Sequence, residues 1–164
     1  MIGGAPRPAS PAPVTVARAG SDDLDAVMTI MTAAFPACFG EAWTRSQCAG
    51  ILPMAGVSLR LARSDGDAPV GFSLSRVISD EAELLLIAVD PAAQGRGIGQ
   101  ALVADFVATA AAEGAVRLHL EVRDGNPAIA LYERAGFASA GRRKNYYHGP
   151  NGDSRDALTL ALSL

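Results

Sequence analysis

One segment of the 164-residue chain, from residue 83 to residue 113, restricts the fold more than any other. It starts with the apolar run at 83–90, which is too short for a globular helix and is closed by Pro91. Such a run is typical of a strand covered on both faces at the centre of a sheet. Three glycines follow within five residues, and apolar residues then recur every four positions from Ile98 onward. A strand, a glycine-rich turn and an amphipathic helix in this order predict an α/β domain built in layers.

Six further strands and three further helices are predicted from the rest of the chain. Short alternating or apolar stretches predict the strands, at residues 14–17, 57–63, 70–78, 116–123, 137–142 and 157–162. Caps and glycine stops predict the helices, which begin at Ser21, Thr44 and Asn126 and end near residues 34, 52 and 136. The order β-α-α-β-β-β-α-β-α-β-β predicts a single mixed β-sheet of six or seven strands flanked by about four helices.

Composition restricts the class of protein. Hydrophobic residues make up 49% and charged residues 19% of the chain, which is typical of one soluble domain, here expected at 13–164. Residues 1–12 are rich in Pro, Gly and Ala and predict a flexible leader rather than a signal peptide. A net charge of −3 without a long basic run disfavours direct nucleic-acid binding, and no apolar run reaches the ~18 to 20 residues of a membrane span. Cys38 and Cys48 have no CxxC or histidine ligand spacing, so we expect idle thiols in a reducing cytoplasm and no metal.

The glycine-rich turn predicts an anion site. The first N–H groups of a helix lack partners and lie at the positive end of its dipole, and glycines let a phosphate approach them without meeting a Cβ. A Walker loop is excluded because Lys-Ser/Thr is missing after Gly97, and a dinucleotide loop is excluded because the spacing is GxGxG and follows the fourth strand. A turn that serves only the chain path is the alternative. The three glycines together with Arg96 favour a bound pyrophosphate.

The turn also matches a known pattern. The matching residues are Gln94, Gly95, Arg96, Gly97, Ile98 and Gly99. They resemble the Q/R-x-x-G-x-G/A loop of the GNAT N-acetyltransferases, and the predicted elements between residues 14 and 162 follow the order of that superfamily. The resemblance implies acetyl-CoA as the cosubstrate, with its pyrophosphate on the loop amides and its pantetheine arm paired, like an added strand, with backbone groups of Ile87, Ala88 and Val89. Asn126 is left open between a helix cap and a coenzyme contact.

Two stretches further downstream narrow the resemblance. They are LHLEVRDGNPAIALYERAGF at residues 118–137 and GRRKNYY at residues 141–147. Both are similar to the ribosomal-protein-alanine N-acetyltransferases. This implies acetylation of the N-terminal α-amine of a protein, with the N-terminal alanine of a ribosomal protein as the acceptor. The alternatives are a GNAT enzyme that acetylates a lysine side chain or a small-molecule amine, and a non-catalytic sensor of acyl-CoA.

Acetyl transfer from a thioester to an amine needs a base for the amine and a proton for the departing thiolate. A free α-amine has a pKa of about 7.7 to 8.0, against about 10.4 for lysine, so a carboxylate or a water that it orders can deprotonate it. The resemblance implies Glu121 as this base and Tyr132 as the acid, with direct attack in a ternary complex. From the residues alone, Glu121 belongs to a charged strand face and Tyr132 to the core.

Other candidates lie on the acceptor side of the predicted site. Tyr146 and Tyr147 are candidates to flank a peptide, and the basic run at 142–144 is a candidate entrance, although such a run is most often a solvated strand. Trp43, the only tryptophan, has two equally favoured interpretations: it shapes the acceptor site, or it packs at the surface. A thiol nucleophile is not expected, because neither cysteine lies in a matched motif.

Overall fold

The structure, a computed structural model, describes residues 13–35 and 40–164. Seven strands and four helices lie in this part of the chain, in the predicted order. The strands are β1 (Thr15–Ala19), β2 (Val57–Arg63), β3 (Pro69–Ile78), β4 (Glu81–Val89), β5 (Arg117–Arg123), β6 (Ala138–His148) and β7 (Ser154–Ser163). The helices are α1 (Leu24–Ala34), α2 (Arg45–Ile51), α3 (Ile98–Ala112) and α4 (Ala128–Arg134). The predicted mixed α/β class is confirmed, whereas the predicted leader at 1–12 and Cys38 lie outside the described residues.

The strands form one sheet in the order β1-β2-β3-β4-β5-β7-β6, so β4 is the central strand, as predicted. Neighbours are antiparallel except for β4 and β5, which α3 connects as a crossover. Helices α1 and α2 contribute to one apolar cluster with β2 and β3, while α3 and α4 pack against β5 on the opposite face. None of the helices in the described ranges has the length and apolar character that crossing a bilayer requires.

A bulge in β4 switches the faces of that strand. The partners of the consecutive β3 residues 74 and 75 are Leu86 and Leu84, so Leu85 is left between them. Because side chains alternate between faces along a strand, one extra residue reverses which positions face which layer. Leu84 therefore packs in the cluster beneath α3, whereas Leu86 packs in the cluster beneath α1.

The two central strands separate after four residue pairs. β4 pairs with β5 over residues 81–84, opposite residues 117–120. Beyond that point β4 continues beside β3, and β5 continues beside β7. The result is a wedge, defined here by residues 85–89 of β4 and residues 121–123 of β5. Side chains of β4 pack in the clusters on both faces of the sheet, Leu84 beneath α3 and Leu86 beneath α1, which confirms the prediction that both faces of this strand are covered.

The two predicted caps near the N-terminal end of the fold had different outcomes. Thr44 caps α2 as predicted, since its Oγ1 accepts a hydrogen bond from Gln47 N–H at 3.2 Å. Ser21 does not cap α1 and instead begins a short 3-10 turn. Asp23 lies at the N-cap position of α1 without a side-chain capping bond, and its Oδ2 instead accepts a hydrogen bond from Gly20 N–H at 3.0 Å, at the start of the 3-10 turn.

Candidate active site

The glycine-rich turn connects β4 to α3 at the open end of the wedge. Asp90 begins the turn, and its Oδ1 accepts a hydrogen bond from Ala92 N–H at 2.9 Å. Gly95 and Gly97 have φ values of +79° and +77°, in the left-handed region that glycine adopts at little cost. A Cβ atom at either position would meet no described heavy atom within 4 Å. The space in front of the turn is therefore open to a ligand.

Helix α3 begins at this turn, with Gly97 as its N-cap residue. The Gly97 carbonyl accepts a hydrogen bond from Ala101 N–H at 3.0 Å. The N–H groups of Ile98, Gly99 and Gln100 precede this first bond and have no acceptor within the helix. A helix of 15 residues also places a partial positive charge at this end. The geometry suits a bound anion.

Gly99 has a second role, in packing, that the sequence did not indicate. A Cβ atom at this position would lie 3.0 Å from Leu131 Cδ2 and 3.8 Å from Val89 Cγ2. Leu131 belongs to α4, so the absence of a side chain at Gly99 lets α3 and α4 approach closely. The three glycines therefore have two roles: Gly95 and Gly97 leave open space in front of the turn, and Gly99 allows the close packing of α3 against α4.

The wedge leaves an unpaired strand edge inside the sheet. At Ile87, Ala88 and Val89 the β4 backbone pairs with β3 on one side, and no described strand lies on the other. Backbone N–H and C=O groups on that side are available to a ligand that runs parallel to the strand.

Tyr132 lies in α4 and belongs to the same core cluster as Leu84 and Leu120, the last paired residues of β4 and β5 at the base of the wedge. It is 5% exposed, and its ring packs edge to face against Phe137 with 6.3 Å between centroids. No described residue forms a hydrogen bond with its hydroxyl. Burial raises the pKa of Tyr132, so the phenol stays protonated at neutral pH. The ring of Tyr132 therefore packs in the core, while its hydroxyl proton has no acceptor among the described residues.

Glu121 occupies the first position of β5 beyond the paired region. It lies opposite Thr159 of β7, on the polar face of the sheet. The carboxylate is about a quarter exposed, at 26%, and its Oε2 is 3.8 Å from Arg143 Nε. A carboxylate that is reachable from solvent and beside the wedge can exchange protons with an incoming group.

An ion pair that the sequence did not predict lies on the β5 side of the wedge. Arg123 Nε lies 3.1 Å from Glu41 Oε1, and the two side chains are only 15% and 10% exposed. The pair joins the segment before α2 to the end of β5. Burial and the negative charges of Glu121 and Glu41 raise the pKa of Tyr147 to about 12. Tyr146 packs edge to face on Tyr147, with 5.1 Å between ring centroids.

The remaining candidates have other partners. Asn126 caps α4, since its Oδ1 accepts a hydrogen bond from Ala128 N–H at 2.9 Å. Arg142 does not line an entrance; it pairs with acidic side chains of neighbouring segments. Trp43 is half-buried and packs at the rim of the cluster beneath α1, which supports the packing alternative. In the described ranges, no three His, Cys, Asp or Glu residues are grouped so as to hold a metal ion.

The fold and this arrangement agree with a comparison of the sequence with known families. The Acetyltransferase (GNAT) family model matches residues 24–137, from the start of α1 to the residue before β6. The chain belongs to this family of acetyltransferases. The turn, the wedge and Glu121 all lie inside the matched region.

Individual GNAT relatives narrow the comparison. The ribosomal protein bS18-alanine N-acetyltransferase of Salmonella typhimurium is 42% identical over 107 residues, which cover 65% of this chain and 72% of the relative. The crystal structure of the ribosomal-protein-S18-alanine N-acetyltransferase from Escherichia coli matches with a TM-score of 0.82 at 33% identity, over 92% of this chain and 93% of that chain. A phosphinothricin acetyltransferase from Sinorhizobium meliloti in complex with AcCoA matches with a TM-score of 0.79 at 21% identity, over 92% of this chain and 88% of that chain, and shows the shared fold alone.

One residue of this GNAT site, Glu41, was missed by reasoning from sequence. It lies in the connection between α1 and α2 and belongs to no motif. Its partner Arg123 is 82 positions away, so local periodicity carries no signal of the pair. The one available hint was an isolated acidic residue close to Trp43, in a segment already suspected of bordering the acceptor.

Proposed function

We propose that this acetyltransferase moves the acetyl group of acetyl-CoA to the N-terminal α-amine of a protein in the cytoplasm, with the N-terminal alanine of a ribosomal protein as its acceptor. The observation that carries the proposal is the joint position of Glu121 and Tyr132. One lies at the side of the wedge and the other at its base, and both fall within the region of family similarity. The relatives that act on ribosomal protein bS18 supply the choice of acceptor.

The residues of the turn and of β4 fit acetyl-CoA. The open positions at Gly95 and Gly97 admit a pyrophosphate, and the amides from Gln94 to Gly99 are its proposed donors, with Arg96 as a nearby cation. The unpaired edge at Ile87, Ala88 and Val89 is the proposed partner of the pantetheine arm. Once bound, acetyl-CoA supplies an acyl group activated as a thioester. Asn126 already uses its Oδ1 as a cap, so only its Nδ2 is available for a coenzyme contact.

Glu121 is the proposed proton acceptor. Its carboxylate takes a proton from the α-ammonium, directly or through one water, which is a modest task for an amine with a pKa near 8. The neutral amine then attacks the acyl carbon directly. Tyr132 donates its phenolic proton to the departing thiolate, and the raised pKa of Tyr132 keeps that proton in place until then. Cys48 has no role as a nucleophile in this proposal, because it is buried in the cluster beneath α1.

The acceptor peptide is proposed to lie between Tyr147 and the Glu41–Arg123 pair. This position brings an N-terminal amine near Glu121, because Arg123 and Glu121 lie two positions apart on β5 and therefore on the same face of the sheet. A lysine side chain could also enter, and a direct assay separates the two acceptors.

Two peptides that differ at the N-terminus and in one internal lysine test the choice of amine. One has a free N-terminal alanine and no lysine, and the other has a blocked N-terminus and an internal lysine. Incubation with acetyl-CoA and mass spectrometry should show acetylation of the first peptide only. Modification of the blocked peptide alone would assign the enzyme to lysine.

A pair of variants tests the proposed base. Glu121→Gln should lose turnover while the affinity for acetyl-CoA, measured by calorimetry, is kept. Glu83→Gln is the matched control, because Glu83 lies on β4 within the paired region and faces His119 at 3.9 Å instead of the wedge. Equal losses in the two variants would contradict the role of Glu121.

A further inference from the structure

Strand β6 is irregular beside the acceptor side of the site. Arg143 pairs with Ala157 of β7, and the next paired residue of β6 is Tyr147, opposite Arg155. Three residues of β6 therefore stand against a single residue of β7. Because two residues are extra, Tyr147 keeps the face of the sheet that Arg143 occupies. In a regular ladder Tyr147 would lie two positions, about 7 Å, further along β7 and away from Glu121.

The single residue opposite this bulge is Asp156, and its carboxylate ties the bulge down. Its Oδ1 accepts a hydrogen bond from Asn145 N–H at 2.9 Å, and its Oδ2 lies 2.6 Å from Arg142 Nη1. Asn145 has a φ of +53°, a left-handed conformation that asparagine tolerates better than most residues. Ser154 Oγ donates to Asn145 Oδ1 at 2.8 Å and holds the same residue from β7.

The charge state of Asp156 suits this role. The Asn145 N–H and the Arg142 guanidinium hold the pKa of Asp156 below its usual range, so the carboxylate is ionised at neutral pH. Arg142 also pairs with Asp124 at 2.9 Å, which provides a second carboxylate on the same cation but no contact with the bulge backbone. Asp156 alone connects the cation to the backbone.

The bulge determines where the aromatic side chains of β6 lie. Tyr147 is half-buried and lies on the same face of the sheet as Arg143, whose Nε is 3.8 Å from Glu121 Oε2. Tyr146 is exposed and lies under Arg143, with 5.5 Å from the guanidinium carbon to the ring centroid. If the bulge relaxed into a regular ladder, Tyr147 would move along the strand and leave the vicinity of Glu121. The acceptor side would then lose its half-buried aromatic wall.

We propose that Asp156 is a positioning residue for acetyl transfer, whose carboxylate holds the β6 bulge and so keeps Tyr147 on the face of the sheet that carries Glu121, at the place where the acceptor peptide lies. Asp156 touches no substrate and acts through Tyr147. This inference rests on the proposed function for the identity of the acceptor. The inferred link between Asp156 and the position of Tyr147 does not depend on the proposed function.

A double-mutant cycle tests the kinetic consequence. Asp156→Ala and Tyr147→Ala should each raise the KM for the N-terminal alanine peptide by about three- to tenfold, as expected for the loss of one aromatic contact, and leave the KM for acetyl-CoA unchanged. The double variant should show no further increase over Tyr147→Ala alone, because Asp156 has nothing left to position. Independent effects that multiply in the double variant would overturn the proposal, as would an equal rise in the KM for acetyl-CoA.

Two conservative variants separate position from folding. Asp156→Asn keeps an oxygen acceptor for the Asn145 N–H but loses the charge, so it should give a smaller rise in peptide KM than Asp156→Ala. Asp124→Asn removes the other carboxylate of Arg142 and leaves the bulge contact, so peptide KM should stay at the wild-type value. Circular dichroism of each variant shows whether it is folded. If Asp124→Asn raised the KM for the peptide as much as Asp156→Asn does, the change in KM would be due to the charge pairing of Arg142 and not to the bulge.

A measurement without turnover distinguishes this inference from the proposed function. The chain has three tyrosines, so selective 13C labelling of the phenol carbon gives three NMR signals, with that of Tyr147 assigned by Tyr147→Phe. Asp156→Asn should shift the Tyr147 signal, and Asp124→Asn should not. If no peptide is acetylated but the Tyr147 signal shifts as expected, the acceptor assignment fails and the positioning role stands. An unchanged Tyr147 signal in a folded Asp156→Asn protein overturns the positioning role.

Discussion

Substitution of Gly97 separates the conformational role of the glycine-rich turn from its role in binding. Gly97 has a φ of +77°, and no described atom lies within 4 Å of the place where a Cβ would stand. In Gly97→Ala the only cost in the free protein is therefore backbone strain, about 1–2 kcal/mol for an alanine in the left-handed region. A loss of this size lowers the Tm of a domain of this length by about 2–8 °C. In Gly97→Asn the strain should be smaller, because asparagine tolerates this conformation.

Binding of acetyl-CoA should respond differently from stability. Either side chain projects into the open space before the first amides of α3, where the pyrophosphate is proposed to lie. Loss of one hydrogen bond to a charged group, about 1.5–3 kcal/mol, corresponds to a rise in Kd of roughly ten- to a hundredfold. Calorimetric titration with acetyl-CoA should therefore show weak binding for both variants, while thermal denaturation shows a larger loss for Gly97→Ala than for Gly97→Asn.

A second glycine of the chain provides the matched control. Gly66 lies in the turn between β2 and β3 with a φ of +74° and open space at its Cβ position. Gly66→Ala should reproduce the thermal loss of Gly97→Ala with an unchanged Kd for acetyl-CoA. The reasoning is refuted if Gly97→Asn binds acetyl-CoA as tightly as the wild type, or if Gly66→Ala weakens binding to the same degree.

Three other results are expected. Tyr132→Phe removes a hydroxyl that has no hydrogen bond to any described residue. Initial-rate measurements should show kcat falling about a hundredfold or more, because the proposed acid is lost. Urea denaturation should show a change in unfolding free energy below about 1 kcal/mol, because no hydrogen bond within the described residues is lost. Because burial raises the pKa of Tyr132 and so favours the protonated phenol, the wild-type kcat profile should show no alkaline loss below about pH 10; a loss near pH 9 would contradict its role as the acid. Glu41→Gln weakens a largely buried ion pair and should cost about 1.5–3 kcal/mol in the same denaturation assay, whereas the exposed Glu113→Gln should cost nothing measurable.

The sequence predicted the strands, helices and caps whose signal lies within a few neighbouring residues. The alternation of β5 and the four-residue repeat of α3 placed both within a residue or two of their observed ends, because each pattern is repeated several times within its own element. The capping box at Thr44 was equally readable, since all of its atoms lie within four residues. At Ser21 the same reasoning failed, because the chain first forms a 3-10 turn at Ser21–Asp23 and α1 begins only at Leu24.

Features that depend on distant partners were not readable. The β6 bulge needs Asp156 of another strand, and its effect is to move Tyr147 by two positions, which no count along the sequence reveals. The packing role of Gly99 appears only when Leu131 of α4 lies against it. Glu121 and Tyr132 were placed beside the wedge through family resemblance, since their own periodicity indicated a charged face and a core position. Their chemical roles still await the assays above.

The separation of β4 from β5 has a consequence for how the protein meets its surroundings. A bare strand border at the outside of a sheet attracts other polypeptides and favours aggregation. Here the bare border lies between β4 and β5, inside the sheet and not at its outer edge. The molecule therefore offers unpaired backbone groups for strand-like pairing with a ligand, without adding an exposed edge that would attract other polypeptides.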